Sequence, residues 1–565
     1  MNSDYDSLIT KKVILITDSP SQFLAIGLKN CGLEKGLNLI IYEFPYVKIV
    51  EGIDNILNDT IEFSPDYVII NFSTQQILDQ FYNMALSKRS IFSNDWLMSF
   101  QNATSLINNH YKCEIITSNL IEIDDSIFGN FANKLKQSFK YQIRNINLRL
   151  MELSHDISNL HIADQLTLHC RYGDNVVKQS KIYYSSDIAY NVDFIPIISN
   201  NYLDIINAIN GQFNKCLILD LDNTLWGGII GDIGIENIEI GNLGIGKVFS
   251  DIQRWALELK QRGIILAICS KNEEKIAKEP FVKHPEMILK LEDISIFIAN
   301  RINKTENIQS IKETLNIGYD SMVFIDDNKH ERNAISKSCP DIIVPNLPDD
   351  PANYLEYIQS LNLFETVALT ELDNKRHKQY QNEYQRLKQK LVLKSETEYI
   401  KSLGLTAKID EINDYNVPRA SQLILRSNQF NLRTIRYSID DLKNITINSN
   451  YLNFTIELND KFGNYGLICI VILEKRNDDL FIDNWVISCR AFGRQVELLT
   501  INNITKIAKS NKFKRVIGEY IPTSKNGMVK NIYKNLGFRL KEKLWVLDLS
   551  NSKYKKCEIM IDKND

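Results

Sequence analysis

No CxxC pair occurs among the nine cysteines of this 565-residue chain, and no cysteine–histidine spacing suits a structural zinc site. An odd number of scattered thiols excludes a disulfide scaffold and fits a reducing, cytoplasmic setting. No apolar run is long enough to span a bilayer. The opening MNSDYDSLITKK is acidic and polar, and Val13–Ile16 is too short for a secretory signal. Charge of one sign is also lacking: the formal net charge is −4 and the pI about 6.1, which favours neither a nucleic acid nor a membrane surface as partner. Internal repeats and low-complexity tracts are absent too.

What is present is an ordinary globular composition, 44% hydrophobic and 24% charged, with length for two to four domains. Residues 1–200 alternate buried-strand patterns (Lys12–Thr17, Tyr67–Asn71, Cys113–Thr117) with helical stretches, which predicts a parallel α/β sheet. Residues 212–365 repeat the theme with strands at Cys216–Leu219, Ile264–Ile268 and Met322–Ile325, each ending in polar residues. A doubly wound sheet of this kind places chemistry at the carboxyl ends of its strands. Residues 366–398 form a charged helical connector, 399–550 an α+β domain, and 551–565 a polar, frayed tail. Within the α+β domain, strands fall at Leu467–Leu473, Phe481–Ser488 and Arg515–Glu519, with a helix at Val496–Ser510.

The stretch KCLILDLDNTLWGGIIGDIG carries the strongest chemical signal. A buried strand delivers Asp220 and Asp222, two residues apart and on one side in extended geometry. One carboxylate can attack phosphorus while the other moves the proton. Thr224 orients neighbouring groups, and Gly227, Gly228, Gly231 and Gly234 suit a tight, mobile flap. The second strand ends in Cys269-Ser270-Lys271-Asn272, where a hydroxyl can hold a phosphoryl oxygen. Lys304 opens a helical segment and can neutralise phosphate and aspartate. The third strand ends in Asp326-Asp327, paired acids suited to Mg²⁺. Each piece alone has a structural explanation, a turn or a surface charge; the ordered set does not.

In that order the four motifs resemble the haloacid-dehalogenase (HAD) superfamily. The longer wording LDLDNTLWGGIIGD, ILAICSKNEE, HPEMILKLEDI and LNIGYDSMVFIDDNKHER, with SNQFNL, DKFGNYGL, SCRAFGR and GEYIPTSKN further on, resembles FkbH-like proteins of HAD subfamily IIIC. The resemblance implies a HAD-type Rossmannoid sheet without a large cap. It implies Asp220 as phosphoryl acceptor, Asp222 as acid/base, Ser270, Lys304, Thr224 and Asn272 around the phosphate, and Mg²⁺ among Asp220, Asp222, Asp326 and Asp327. It further implies transfer of a glyceryl unit from 1,3-bisphosphoglycerate, a phosphorylated three-carbon metabolite, to an acyl carrier protein in polyketide or related biosynthesis. Cys269 would then carry the acyl group as a thioester. The short spacers between motifs agree with an open cleft that accepts a group delivered on a macromolecule. A plain phosphatase acting on a small ester or phosphoprotein, and an N-acyltransferase with a regulatory HAD part, are the alternatives.

The C-terminal part resembles the GNAT acyltransferase fold through FIDNWVISCRAFGRQVELL, where Arg490 and Gly493 match the loop that binds CoA or a carrier-protein phosphopantetheine. Gln495 departs from the small residue expected there, and Arg490 and Arg494 are equally explicable as solvated charges. Asn428, Asn431, Lys525 and Asn526 fall in the FkbH-like blocks without an assigned chemistry. In the N-terminal part, Thr17-Asp18-Ser19 resembles the opening of SGNH-type hydrolases, with His169 the nearest partner for Ser19. A strand-to-helix turn with an N-cap explains the same residues.

Overall fold

The structure is a computed structural model that describes residues 8–44, 60, 62–367, 386, 396–550 and 552–562. The chain divides into two compact units, Met1–Asn207 and Ala208–Asp565.

The first unit is built on five parallel strands: β1 (Ile9–Thr17), β2 (Leu37–Glu43), β3 (Tyr67–Asn71), β4 (Glu114–Ser118) and β5 (Leu160–Ala163), in the order β2-β1-β3-β4-β5. Val13–Ile16 and Val68–Ile70 are fully buried because helices cover both faces of such a sheet. The strand patterns seen in sequence are found; β2 and β5, more polar at one face, were not expected. Ser21 precedes the helix Gln22–Glu34 but does not cap it: its hydroxyl donates to Glu43 Oε2 at 2.8 Å.

The second unit opens with a four-stranded parallel sheet of β6 (Cys216–Leu219), β7 (Ile265–Ser270), β8 (Ile296–Ala299) and β9 (Met322–Ile325), ordered β8-β7-β6-β9. Every residue of β6, β7 and β9 is buried, as their uninterrupted Ile, Leu and Val runs require. The connection from β6 to β7 holds one short helix, Ile230–Ile233, and the sheet-covering helix Gly246–Gln261. The glycine-rich turn inside it is pinned rather than loose, since Gly227 and Glu239 exchange both backbone hydrogen bonds at 2.9 Å. No additional sheet is inserted between β6 and β9 among the described residues, in keeping with a HAD-type sheet without a large cap.

An eight-stranded mixed sheet completes the unit: β10 (Thr406–Asp410), β11 (Tyr451–Asp460), β12 (Gly463–Arg476), β13 (Asp479–Ile487), β14 (Arg515–Gly518), β15 (Arg539–Lys541), β16 (Leu544–Asp548) and β17 (Met560–Ile561), ordered β15-β16-β14-β13-β12-β11-β10-β17. The tail is thus not wholly frayed: β17 pairs in parallel with β10. The connector helix read over 366–398 lies mostly outside the described residues; Arg386, within it, pairs with Asp460 at 2.6 Å. The sequence separates 212–365 from 399–550, yet the two parts make one unit. Asn316 Nδ2 donates to the Cys489 carbonyl at 2.7 Å, Asn428 Nδ2 to the Gly211 carbonyl at 3.0 Å, and Lys525 pairs with Asp320 at 2.6 Å.

Candidate active site

Loops leaving the carboxyl ends of β6, β7 and β9 converge with the start of the helix Lys304–Leu315. Lys304 lies at the centre. Its Nζ is 2.9 Å from Asp220 Oδ2 and 2.6 Å from Asp326 Oδ2, with all three side chains nearly inaccessible. Burial favours neutral Lys304, but the two carboxylates more than reverse that and hold its pKa above the ordinary value. Burial pushes Asp220 and Asp326 up, and Lys304 partly restrains both. Asp327 is raised by burial and by the Asp220 charge.

One carboxylate oxygen from each of Asp220, Asp326 and Asp327 lies within 4.8 Å of the others. Asp220 Oδ1 is buried and accepts no hydrogen bond. Three carboxylates with converging hard oxygens, one of the three carrying an unsatisfied buried oxygen, are a donor set that fits Mg²⁺. The backbone carbonyls of Asp326 and Asp327 are fixed by Arg332 Nη1, at 2.9 and 2.5 Å, from the helix Lys329–Ser338.

Asp222 stands apart from this cluster, which corrects its expected place among the metal ligands. Its Oδ1 accepts from Trp226 Nε1 at 2.9 Å and from the Ile230 backbone N–H at 3.1 Å; its Oδ2 accepts from Asn272 Nδ2 at 2.8 Å. A carboxylate restrained from three sides beside Asp220 suits an acid/base better than a ligand. Asn272 also donates to Ser270 Oγ at 3.3 Å, so it ties the second motif to the first. Thr224 is 0% exposed and accepts from the Asp327 backbone N–H at 3.2 Å. It braces the fourth motif from a fully enclosed position, rather than facing the cleft as a substrate-binding residue would. The roles of Trp226 and Arg332 were not read from sequence; each follows an aspartate motif closely, but an isolated Trp or Arg gives no signal of its target.

Cys269 is also not where the sequence reading puts it. It is 0% exposed, packs with Ile218, Ala267 and Ile308, and its Sγ lies 3.9 Å from the Lys304 carbonyl. Burial pushes the thiol up to about 12, away from the thiolate that nucleophilic attack needs.

Elsewhere, Arg494 turns inward to Tyr465 Oη (2.9 Å), and Gln495, in left-handed conformation, uses Oε1 to accept from the Glu558 backbone N–H at 2.8 Å. Gly493 has φ +68°, and Arg490 is buried. Asn526 donates to the carbonyls of Asn431 (3.1 Å) and Ile521 (2.8 Å), and Asn431 Oδ1 accepts from the Thr434 backbone N–H; both asparagines hold loops. His169 pairs with Asp174 at 2.6 Å and Ser19 is buried; among the described residues no hydrogen bond joins the two. No described helix is long and apolar enough to cross a membrane.

Comparison with known proteins adds the following. A family model described as FkbH, N-terminal domain, matches residues 12–207. The crystal structure of the N-terminal part of the protein BF1531 from Bacteroides fragilis, containing a phosphatase domain and complexed with Mg, is 42% identical; the match covers 65% of this chain and 97% of that one, with a TM-score of 0.62. The ribosomal-protein-S18-alanine N-acetyltransferase from Escherichia coli is 13% identical over 26% of this chain and 97% of that one, with a TM-score of 0.22. A GNAT-family acetyltransferase from Staphylococcus aureus is 17% identical over 26% of this chain and 99% of that one, with a TM-score of 0.21. No curated protein matches the sequence.

Proposed function

The chain belongs to the FkbH-like family of HAD-type proteins, and from that membership we propose that it is a Mg²⁺-dependent phosphatase-type enzyme whose nucleophile is Asp220. The observation that carries this reading is the clamp of Lys304 on Asp220 and Asp326, with Asp327 completing a three-carboxylate cluster. Asp220 attacks phosphorus, the bond from phosphorus to the leaving oxygen breaks, and Asp222 supplies the proton that oxygen takes up. Asp222 then withdraws a proton from water, which attacks the aspartyl-phosphate and frees Asp220 and inorganic phosphate. Lys304 holds the Asp220 carboxylate in place and offsets its charge against an anionic substrate; Ser270 Oγ, at the end of β7, offers a hydrogen bond to a phosphoryl oxygen. Bound among Asp220, Asp326 and Asp327, Mg²⁺ would supply the remaining charge neutralisation.

The test is hydrolysis of p-nitrophenyl phosphate. Wild-type protein is expected to release phosphate only with Mg²⁺, and Asp220→Asn to lose activity by roughly a thousandfold or more, since removing a nucleophile removes the covalent route. Undiminished turnover by Asp220→Asn would sink the reading.

The finer proposal is that the natural substrate is a phosphoglyceryl unit from 1,3-bisphosphoglycerate, and the acceptor an acyl carrier protein thiol. It is supported by the family's sequence blocks and by the short, pinned β6–β7 connection, which leaves the cleft without a large cap. Because Cys269 is enclosed, transfer on this reading goes directly to the carrier: its thiolate attacks the acyl carbon, the bond from that carbon to the acyl-phosphate oxygen breaks and inorganic phosphate leaves, while Asp220 takes the phosphoryl group at the other end of the metabolite. Incubation with 1,3-bisphosphoglycerate, Mg²⁺ and a panel of carrier proteins, read by intact mass, is expected to show a glyceryl-loaded carrier. Phosphate release without loading leaves a plain phosphatase.

A further inference from the structure

Three of the later sequence blocks, and the segment that precedes β9, have no part in the aspartate cluster. Residues of LNIGYDS (315–321), SNQFNL (427–432), SCRAFGR (488–494) and GEYIPTSKN (518–526) instead line one cavity of about 360 Å³. Its place in the fold is the reverse of the active site's. Lys215 and Ser321 line the cavity and directly precede β6 and β9, whereas Asp220 and Asp326 directly follow those strands. At about 3.3 Å per residue, a strand length of roughly 15 Å separates the two.

The cavity concentrates positive charge. Lys215, Lys312, Arg419, Arg426, Arg490 and Lys525 line it against two carboxylates, Asp320 and Asp341, and Lys525 occupies Asp320 at 2.6 Å. A further cation lies behind one wall. Arg436 donates to the carbonyls of Leu425 (2.9 Å), Ser427 (3.2 Å) and Ile424 and to Asn428 Oδ1. Among the described residues its charge is thus met by neutral oxygens and no carboxylate, and burial lowers its pKa to about 10. A cation enclosed without a counter-charge adds positive potential to the same wall and fixes the shape of the 424–428 turn. Leu423, Phe430, Ile317 and Ile487 supply apolar surface beside these cations. A pocket of this size, apolar in part and strongly cationic, matches a small ligand better than packing space.

We infer that this cavity is a second ligand site, distinct from the aspartate cluster, for a small molecule carrying at least two negative charges on phosphate or carboxylate groups next to an apolar portion. The inference is independent of the phosphatase reading, because no residue of the cavity belongs to that site.

Calorimetric titration of the full chain tests it, with the protein first stripped of metal and then dialysed free of chelator so that the Asp220 cluster repels anions. Inorganic pyrophosphate represents the phosphate source and citrate the carboxylate source. At least one is expected to bind saturably; whichever binds more tightly identifies the source. Affinity is expected to fall at least about tenfold in Lys312→Gln/Lys525→Gln, since each charge-assisted contact contributes on that scale. The double variant should hydrolyse p-nitrophenyl phosphate as wild type does, which also reports that it folds. Asp220→Asn should bind the probe unchanged. Absence of binding by both probes, equal binding by the double variant, or loss of binding in Asp220→Asn would each overturn the inference.

Discussion

Cys269 and Ser270 are adjacent in β7, and neighbouring side chains in a strand point to opposite faces. Ser270 therefore ends at the phosphate side, held by Asn272, while Cys269 enters the core beside Ile218 and Ile308. The same alternation explains why the pattern CSKN looks like a paired serine and thiol in sequence but brings one side chain to the candidate site. Cys269→Ala is expected to cost about 1–2 kcal/mol of stability through the small cavity it leaves, measured by urea unfolding. Phosphate release by this variant should stay within about twofold of wild type; a collapse of activity in a folded Cys269→Ala protein would return the thiol to the mechanism. The four acidic, serine and lysine motifs were legible because their order along the chain is diagnostic even though no single residue is. The partners that restrain them, Trp226 on Asp222 and Arg332 on the Asp326 and Asp327 carbonyls, were not, because only folding brings them to their targets.

Among elements, the fully buried strands of the two parallel sheets were readable, and partly exposed ones such as β2, β5 and β8 were not. β8, Ile296–Ala299, is no shorter than β6 or β9, but two of its residues, Phe297 and Ile298, are half-buried, so it lacks the complete burial that marks those strands. Connections are governed by conformations that composition does not disclose. Gly404 closes the helix Glu396–Leu403 at φ +62° with open space where a Cβ would stand; Gly211, at φ +76°, would place a Cβ against the Leu425 carbonyl oxygen. Gly404→Ala is therefore expected to cost only the left-handed backbone penalty, about 1–2 kcal/mol. Gly211→Ala should cost more, because the Leu425 backbone must also move. Parallel urea titrations of the two variants check the ordering, and an equal loss would show that Leu425 yields freely.

At the scale of the whole molecule, the two units carry different electrostatic liabilities. In Met1–Asn207, Asp18 is buried, its Oδ1 accepts from the Ser73 backbone N–H at 2.7 Å, and its Oδ2 has no partner. Burial raises its pKa from 3.8 to about 7, with the backbone hydrogen bonds opposing. Between those two values the folded state keeps a proton that the unfolded chain has released. Stability of this unit is accordingly full below about pH 4, falls as pH rises through about 7, and then levels, a loss of at most about 4 kcal/mol. Asp18→Asn keeps an acceptor for Ser73 but cannot ionise. It should flatten that slope and stabilise the unit at pH 8, as read by urea-dependent hydrogen exchange in β1 peptides at pH 5 and pH 8. An unchanged slope in the variant would assign the pH dependence to another group.

By itself the sequence determined the α/β character of the first unit, the parallel sheet behind Asp220 and which strand ends carry the candidate site. Buried strands and ordered strand-end motifs are local patterns, written in consecutive residues. Tertiary structure alone decided that Asp222 stands outside the carboxylate cluster, that Cys269 is enclosed, and that the later FkbH-like blocks meet at a cationic cavity behind the sheet. Those outcomes depend on which face a side chain takes and on which distant segments pack together. Asp220 could be found from its neighbours in the chain; its pairing with Lys304 and Asp326 required the chain to fold.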